Sequence, residues 1–163
     1  PKPVQQPCPI WIAGTPRERN IGEQGVERAL RRIARHADGW QTTLQTPEMF
    51  KDYLGRIHAM RKEEGLDNAG FKTSLYYNLH VNPDREAAYW ESKAFLDEYY
   101  DRDWPKDLVE LWTAHGSVRQ CVETLKGYID AGIDHITIRL TARDQARQFE
   151  LYVKEVLPEL GIR

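Results

Sequence analysis

Apolar residues in this chain recur with two different periods, and the two periods alternate along its length. From Ser74 to Asn82 the period is two: Leu75, Tyr77, Leu79 and Val81 point one way, and Tyr76, Asn78, His80 and Asn82 the other. That pattern predicts a strand. From Val26 to Ala37 the period is close to 3.6, with Val26, Ala29, Leu30, Ile33, Ala34 and Ala37 on one face and arginines opposite. That pattern predicts a helix.

The remaining segments continue the alternation. Pro9-Ile10-Trp11-Ile12-Ala13, closed by Gly14, reads as a buried strand, and a charged, Gly-containing loop runs from it to Val26. Asp38-Gly39 stops the first helix, and Trp40 to Thr43 reads as a brief strand. Thr46 caps a helix beginning at Pro47, with Phe50, Tyr53, Leu54 and Ile57 as its stripe and Gly65 as its end. Asn82-Pro83-Asp84 opens a helix to about Tyr100, with Ala88, Phe95, Leu96 and Tyr99 buried. Residues 101–116, acidic and aromatic, read as a loop or a short extra helix. Ser117 and Gln120 have capping-box spacing ahead of Val118, Cys121, Val122, Leu125 and Ile129. After Gly132, Ile136, Ile138 and Leu140 alternate with His135, Thr137 and Arg139 in a last strand. A final helix carries Phe149, Val153, Val156, Leu157 and Leu160.

Strand and helix repeated four times imply βαβ units and a parallel sheet. Four units are half of a (β/α)8 barrel, although an open flavodoxin-like sheet has a similar element count. The polar faces of segments 74–82 and 134–140 favour the barrel, because a doubly wound sheet buries apolar side chains on both faces. The expected fold is α/β, a half-barrel in a single segment, 1–163.

Charge excludes some function classes. With 23 Lys and Arg against 25 Asp and Glu, the chain shows no nucleic-acid footprint and no basic patch for an anionic membrane. No apolar run is long enough to span a membrane, and no signal-peptide core is present. Two distant cysteines, Cys8 and Cys121, make a disulfide framework improbable and suit a reducing cytoplasm. Five histidines show no metal-ligand spacing, and no G-x-S-x-G, Walker or Rossmann glycine pattern occurs. The start at Pro1-Lys2-Pro3, without Met, reads as a cut ahead of the first strand.

Three stretches resemble the luciferase-like flavin oxidoreductase family. The first joins Pro9-Ile10-Trp11-Ile12-Ala13-Gly14 to the run from Ala29 to Trp40, and is similar to the family's fifth strand, its helix and the lead into the sixth strand. The second is Tyr128 to Ile136, similar to the turn into the eighth strand. The third is the closing helix with Phe149 and Leu157-Pro158-Glu159-Leu160. The resemblance implies strands five to eight of the barrel with their helices. It also implies FMN or a deazaflavin coenzyme at the C-terminal strand ends, with Ala13, Gly14 and Thr15 at its phosphate. A glycine there lets backbone approach, consecutive N–H groups form an anion nest, and the hydroxyl adds a donor. Arg17 to Gly25 reads as an insertion relative to the family.

Other candidates carry two readings each. Arg17 and Arg19 are phosphate or acidic-substrate partners, or solvated loop charges. His80 is a general base near a strand end, with Asn82 beside it, or a satisfied lumen histidine. Thr137 and Arg139 grip an anion or form a salt bridge. Asp38 is a cap or turn residue, and Trp104 and Trp112 fill a core or stack on a ligand.

By resemblance, the function is redox chemistry on a small organic substrate, with the coenzyme carrying the reaction. Catalytic residues are not assignable, since the barrel's first half would supply much of the site. A half-barrel leaves open sheet edges, so the expected partner is an N-terminal half-barrel polypeptide or a second copy of this chain. The alternatives are a noncatalytic half-barrel assembly module and a flavin-independent barrel enzyme such as an isomerase or aldolase.

Overall fold

A computed structural model describes Lys2 and residues 4–161. Pro1, Pro3, Ile162 and Arg163, and with them the reading of the Pro1-Lys2-Pro3 start, lie outside the described residues. The chain divides into two compact units, Pro1–Leu75 with Ala131–His135, and Tyr76–Asp130 with Ile136–Arg163.

In the first unit, β1 (Trp11–Ala13), β2 (Gly39–Thr42) and the start of β3 (Lys72–Val81) form a parallel ladder. Trp11 pairs with Gly39, and Trp40 with Thr73. Helices α1 (Glu18–His36) and α2 (Pro47–Glu63) enclose Trp40, which is fully buried and stacks on Phe50 at 5.5 Å between centroids. Leu30, Ile33 and Ile57 are buried with it. Each such side chain contributes roughly 1.5–3 kcal/mol. The predicted cap is in place: Thr46 accepts the Met49 N–H at 3.2 Å, with Pro47 as the first helical residue.

Two expectations for this unit are corrected. The segment Arg17 to Gly25 is not a loop: α1 starts at Glu18 and kinks at Gly22, whose φ of 64° suits glycine far better than a side-chain-bearing residue. The charged residues of the segment fit an exposed helical turn as well as a loop. β1 is not buried either, since Ile10 and Trp11 are 56% and 43% exposed.

Polar groups close this unit. Arg61, buried on α2, donates to the carbonyls of Ala34 and Ala37 at 3.1 and 2.9 Å, satisfying acceptors that the end of α1 leaves open. Asp38 accepts the Ile10 N–H at 2.7 Å, so it ties β1 to the turn before β2. Asp134 accepts from the backbone and hydroxyl of Thr73 at 2.8 and 2.9 Å and from Lys72 at 2.9 Å. Burial works to raise its pKa, but those hydrogen bonds outweigh it and hold the carboxyl below its ordinary value.

In the second unit, the remainder of β3 pairs in parallel with β4 (Thr113–Gly116), matching Asn78 to Thr113 and His80 to His115. β5 (His135–Leu140) pairs with β3, and Thr141 N–H extends that edge to the Leu79 carbonyl at 3.1 Å. β4 is a correction: residues 101–116 hold both a helix, α4 (Lys106–Trp112), and a fifth strand. Four buried residues, Thr-Ala-His-Gly, are too few and too mixed to show a period of two.

Both faces of β3 are covered here. Tyr77 meets Tyr128 of α5 (Val118–Asp130) at 5.1 Å. On the opposite face Tyr76 meets Trp112 at 5.8 Å, and His80 meets Ser92 of α3 (Arg85–Tyr100). The polar side of the strand is therefore buried under α3 and α4 and is not an open face. Trp104 and Trp112 are both buried, 5.3 Å apart, and Trp112 Nε1 donates to the Tyr76 carbonyl at 2.8 Å.

Asp84 caps α3, and Ser117 with Gln120 forms the predicted box at α5. The last helix differs from its predicted stripe. In α6 (Gln145–Leu151), which continues through a π turn (Tyr152–Val156) and a 3₁₀ turn (Leu157–Leu160), Gln148 faces inward. Phe149 and Val153 are consequently 59% and 41% exposed, while Val156 and Leu160 are buried.

Candidate functional site

Each unit has one candidate region at strand C-termini, where barrel enzymes keep their chemistry. In the first unit the predicted residues Ala13, Gly14 and Thr15 end β1. Gly14 N–H donates to the Gln41 carbonyl at 2.9 Å, and the Gly14 carbonyl accepts Trp40 Nε1 at 2.9 Å. Thr15 Oγ1 accepts the Thr43 N–H at 3.1 Å and lies 3.4 Å from Thr42 Oγ1. The loop is thus stitched to β2 and the residue after it. A Cβ built on Gly14 would have no atom within 4 Å, so this backbone faces open space. Arg17 donates to the Leu44 carbonyl at 2.7 Å.

In the second unit the ends of β3, β4 and β5 open into a cleft of about 730 Å³, lined by His80, Asn82, Glu91, Ser117, Arg147, Gln148 and neighbours. His80 is 2% exposed. Its Nδ1 lies 3.1 Å from the Thr141 carbonyl and 3.2 Å from Ser92 Oγ. A carbonyl can only accept, so Nδ1 carries the proton and Nε2 keeps its lone pair. Nε2 stands 3.6 Å from Glu91 Oε2, and Glu91 is held by the Arg143 N–H on its other oxygen at 2.9 Å. Burial pushes the His80 pKa below its ordinary value, while Glu91 and the Thr141 carbonyl draw it partly back.

Several other lining groups are committed to structure. Asn82 Oδ1 accepts the Asp84 N–H at 3.0 Å, and Ser117 caps α5. The Gln148 amide receives the Val81 N–H and donates to the Val81 carbonyl, both at 2.8 Å, as a further strand would. Cys121 is buried, its thiol pushed up to about 12, which removes it as a nucleophile.

Of the last strand's candidates, Thr137 is exposed. Arg139 donates to Asn78 Oδ1 at 3.0 Å and to the Tyr100 hydroxyl at 3.1 Å, among the rings of Tyr76, Tyr99, Tyr100 and Trp112. Among the described residues it forms no ion pair, and its charge rests on aromatic faces. No cluster of three or more His, Cys, Asp or Glu with metal-holding geometry occurs among the described residues. Glu91, Ser92 and Thr141 were not singled out from the sequence. Ser92 carries a signal, a hydroxyl four residues from both Ala88 and Leu96 in a buried stripe.

A strand-end cleft on an α/β scaffold with a parallel sheet is common to barrels and open sheets, and comparison with known proteins decides between them. The family model described as luciferase-like monooxygenase matches residues 1–135, and the chain belongs to that family. An F420-dependent glucose-6-phosphate dehydrogenase of Nakamurella multipartita (strain ATCC 700099) is 27% identical, over 94% of this chain and 48% of its own length. An F420-dependent secondary alcohol dehydrogenase, solved with an F420-acetone adduct, superposes with a TM-score of 0.75 at 15% identity, covering 98% of this chain and 50% of that one. A long-chain alkane monooxygenase gives 0.57 at 15% identity, covering 93% and 40%. The chain spans about half the length of the first two relatives. The likeness shows the fold to be the expected one, α/β and half of a barrel.

Proposed function

We propose that residues 1–163 are the C-terminal half-barrel segment of a flavin- or deazaflavin-dependent oxidoreductase acting on a small organic substrate. Family membership across residues 1–135 carries this reading. The named F420-dependent relatives favour a deazaflavin over FMN and dehydrogenation over oxygen insertion.

Ala13, Gly14 and Thr15 would hold the cofactor's phosphate end. They fit it in one respect: open space stands where a Gly14 side chain would be, so an anion can reach the backbone. The nest is smaller than the sequence implies, because Gly14 N–H already serves Gln41. Thr15 contributes a hydroxyl whose orientation is fixed by Thr43 and Thr42. Bound there, the cofactor would supply the hydride or oxygen chemistry, and this chain's residues would supply placement.

The half-barrel would be completed by an N-terminal half-barrel, in preference to a second copy, because the relatives carry about as much chain again. Exposed Ile10 and Trp11 would be covered by it. No helix among the described residues is long and apolar enough to cross a membrane, and the two free cysteines suit a cytoplasmic setting.

Titrating FMN and a deazaflavin into the chain, with and without a co-expressed N-terminal half, tests the reading. Binding only in the pair supports it. Pairing without binding of either cofactor favours a noncatalytic assembly module.

A further inference from the structure

We propose that α3 is an acid-released flap on the cleft at the ends of β3, β4 and β5, latched at neutral pH by the ring pair His80 and His115. The device lies within the second unit alone and does not depend on the redox reading.

The two rings are ladder partners on β3 and β4, and the same helix closes over both. His80 is 2% exposed and His115 7%. His80 Nδ1 meets Ser92 Oγ of α3 at 3.2 Å and the Thr141 carbonyl at 3.1 Å, and Glu91 Oε2 of α3 stands 3.6 Å from Nε2. A turn earlier on the helix, Tyr89 lies 5.8 Å from the His115 ring, which also hydrogen-bonds the Arg85 backbone. Tyr89 and Ser92 are buried in one stripe with Ala88 and Leu96. α3 is thus seated on two imidazoles, the side chains that change charge nearest to neutral pH.

Protonation acts on this seat. His115 Nδ1 is buried with no partner among the described residues, so a proton there makes an N–H without an acceptor, in the field of Arg85. Glu110 of α4 draws the charge back only in part. His80 can take its proton at Nε2 toward Glu91, but that charge then stands beside the second ring. The remaining neighbours offer little: Cys121 of α5 is a neutral thiol on the His80 carbonyl, and Arg147 and Asp144 line the cleft with opposite charges. Burial holds both rings below their ordinary 6.5. When α3 lifts, water reaches them and they regain it, so the released state binds more protons and acid favours release. Between pH 7.5 and 5.5, each ring kept neutral in the closed state raises the released fraction by up to about tenfold. Release widens the cleft, because Glu91 of α3 and its lead-in, Asn82 and Pro83, form part of the wall.

Amide hydrogen exchange of the chain at pH 7.5 and 5.5, with the intrinsic pH dependence of exchange divided out, tests the flap. Protection of Ala88 to Leu96 on α3 should fall about tenfold or more, while that of Cys121 to Leu125 on α5 should change less than about threefold. Two surface variants should move the loss in opposite directions. Glu91→Gln keeps an acceptor for the Arg143 N–H but removes the charge that eases His80 protonation in the closed state, so it should enlarge the loss. Arg85→Gln removes the cation that opposes protonation of His115, so it should lessen the loss. His115→Gln should cut the loss several-fold; should that variant not fold, the two surface variants decide alone. An equal loss on α3 and α5, no loss on α3, or a shift of the same sign in Glu91→Gln and Arg85→Gln overturns the proposal. No cofactor is present in these measurements, so their outcome is separate from that of the cofactor titrations.

Discussion

The Trp11 indole lies over Gly39, its partner across the β1–β2 ladder, so closely that a Cβ at Gly39 would stand 2.5 Å from the ring. No side chain fits there without displacing the indole. Gly39→Ala should therefore cost about 1–3 kcal/mol, as overpacking does, and alter the tryptophan fluorescence. In a Trp11→Ala background the same substitution should cost well under half as much. Urea midpoints of the four chains in this cycle decide it; an equal penalty in both backgrounds would mean that the indole is not the obstacle.

That glycine also shows what a sequence can reveal. Asp38-Gly39 was legible as a helix stop, but the ring above Gly39 was not, because it comes from residues 28 positions earlier in the chain. Strands with clear alternation and helices with local caps, at Thr46, Asp84 and Ser117–Gln120, could be read because their causes lie within a few residues. β4 could not be, since its four residues are buried throughout and lack a polar side to set a period. Phe149 was placed inward by helical spacing, yet Gln148 takes the inward position because the Val81 backbone needs its amide. The strand-end loop at Ala13 to Thr15 was legible only through family resemblance. The His80 cleft was half legible: the histidine stood out, but its partners Glu91, Ser92 and Thr141 reach it from two other elements.

Gln148 supplies a second expectation. Replacing it with Leu keeps the size but leaves the Val81 N–H and carbonyl without their partners in a buried place. An orphaned buried group costs about 1–3 kcal/mol, so Gln148→Leu should destabilise by roughly that much or more. Gln148→Glu can accept but not donate, and should leave the carbonyl unsatisfied. Chemical denaturation gives the values, and amide exchange at Val81 should quicken in Gln148→Leu. If both variants match the parent, the clasp is not an anchor for β3.

Acid should weaken the fold in two stages. Burial lowers the pKa of His80 and of His115 from the ordinary 6.5, with Arg85 adding to the effect at His115. A lowered folded-state pKa means that the unfolded chain binds more protons, so stability rises with pH in that window. The histidine contribution is complete above 6.5 and drains away as pH falls below it toward the lowered folded values. Asp134, held below its ordinary 3.8, acts later: its contribution is lost only as pH drops under 3.8. Melting temperature should fall between about pH 6.5 and pH 5, and less steeply in His115→Gln. A flat profile there would contradict neutral, buried histidines.

The last expectation concerns Gly14. A side chain at this position meets no protein atom, and the backbone is not in the left-handed region, so the folded chain should accept one. Gly14→Val should leave the stability nearly unchanged, within about 0.5 kcal/mol, as for a surface substitution. Its branched side chain would instead fill the space through which an anion reaches the loop backbone. If Ala13, Gly14 and Thr15 hold the cofactor's phosphate, Gly14→Val should weaken cofactor binding about tenfold or more, equivalent to ~1.4 kcal/mol. Thr15→Val adds a control, since it removes the hydroxyl that now accepts the Thr43 N–H. It should weaken binding and also cost stability, whereas Gly14→Val should do only the first. Cofactor titration of the paired half-barrels, set beside melting curves of each variant, separates these effects. Equal affinity for parent and Gly14→Val would remove the phosphate from this loop.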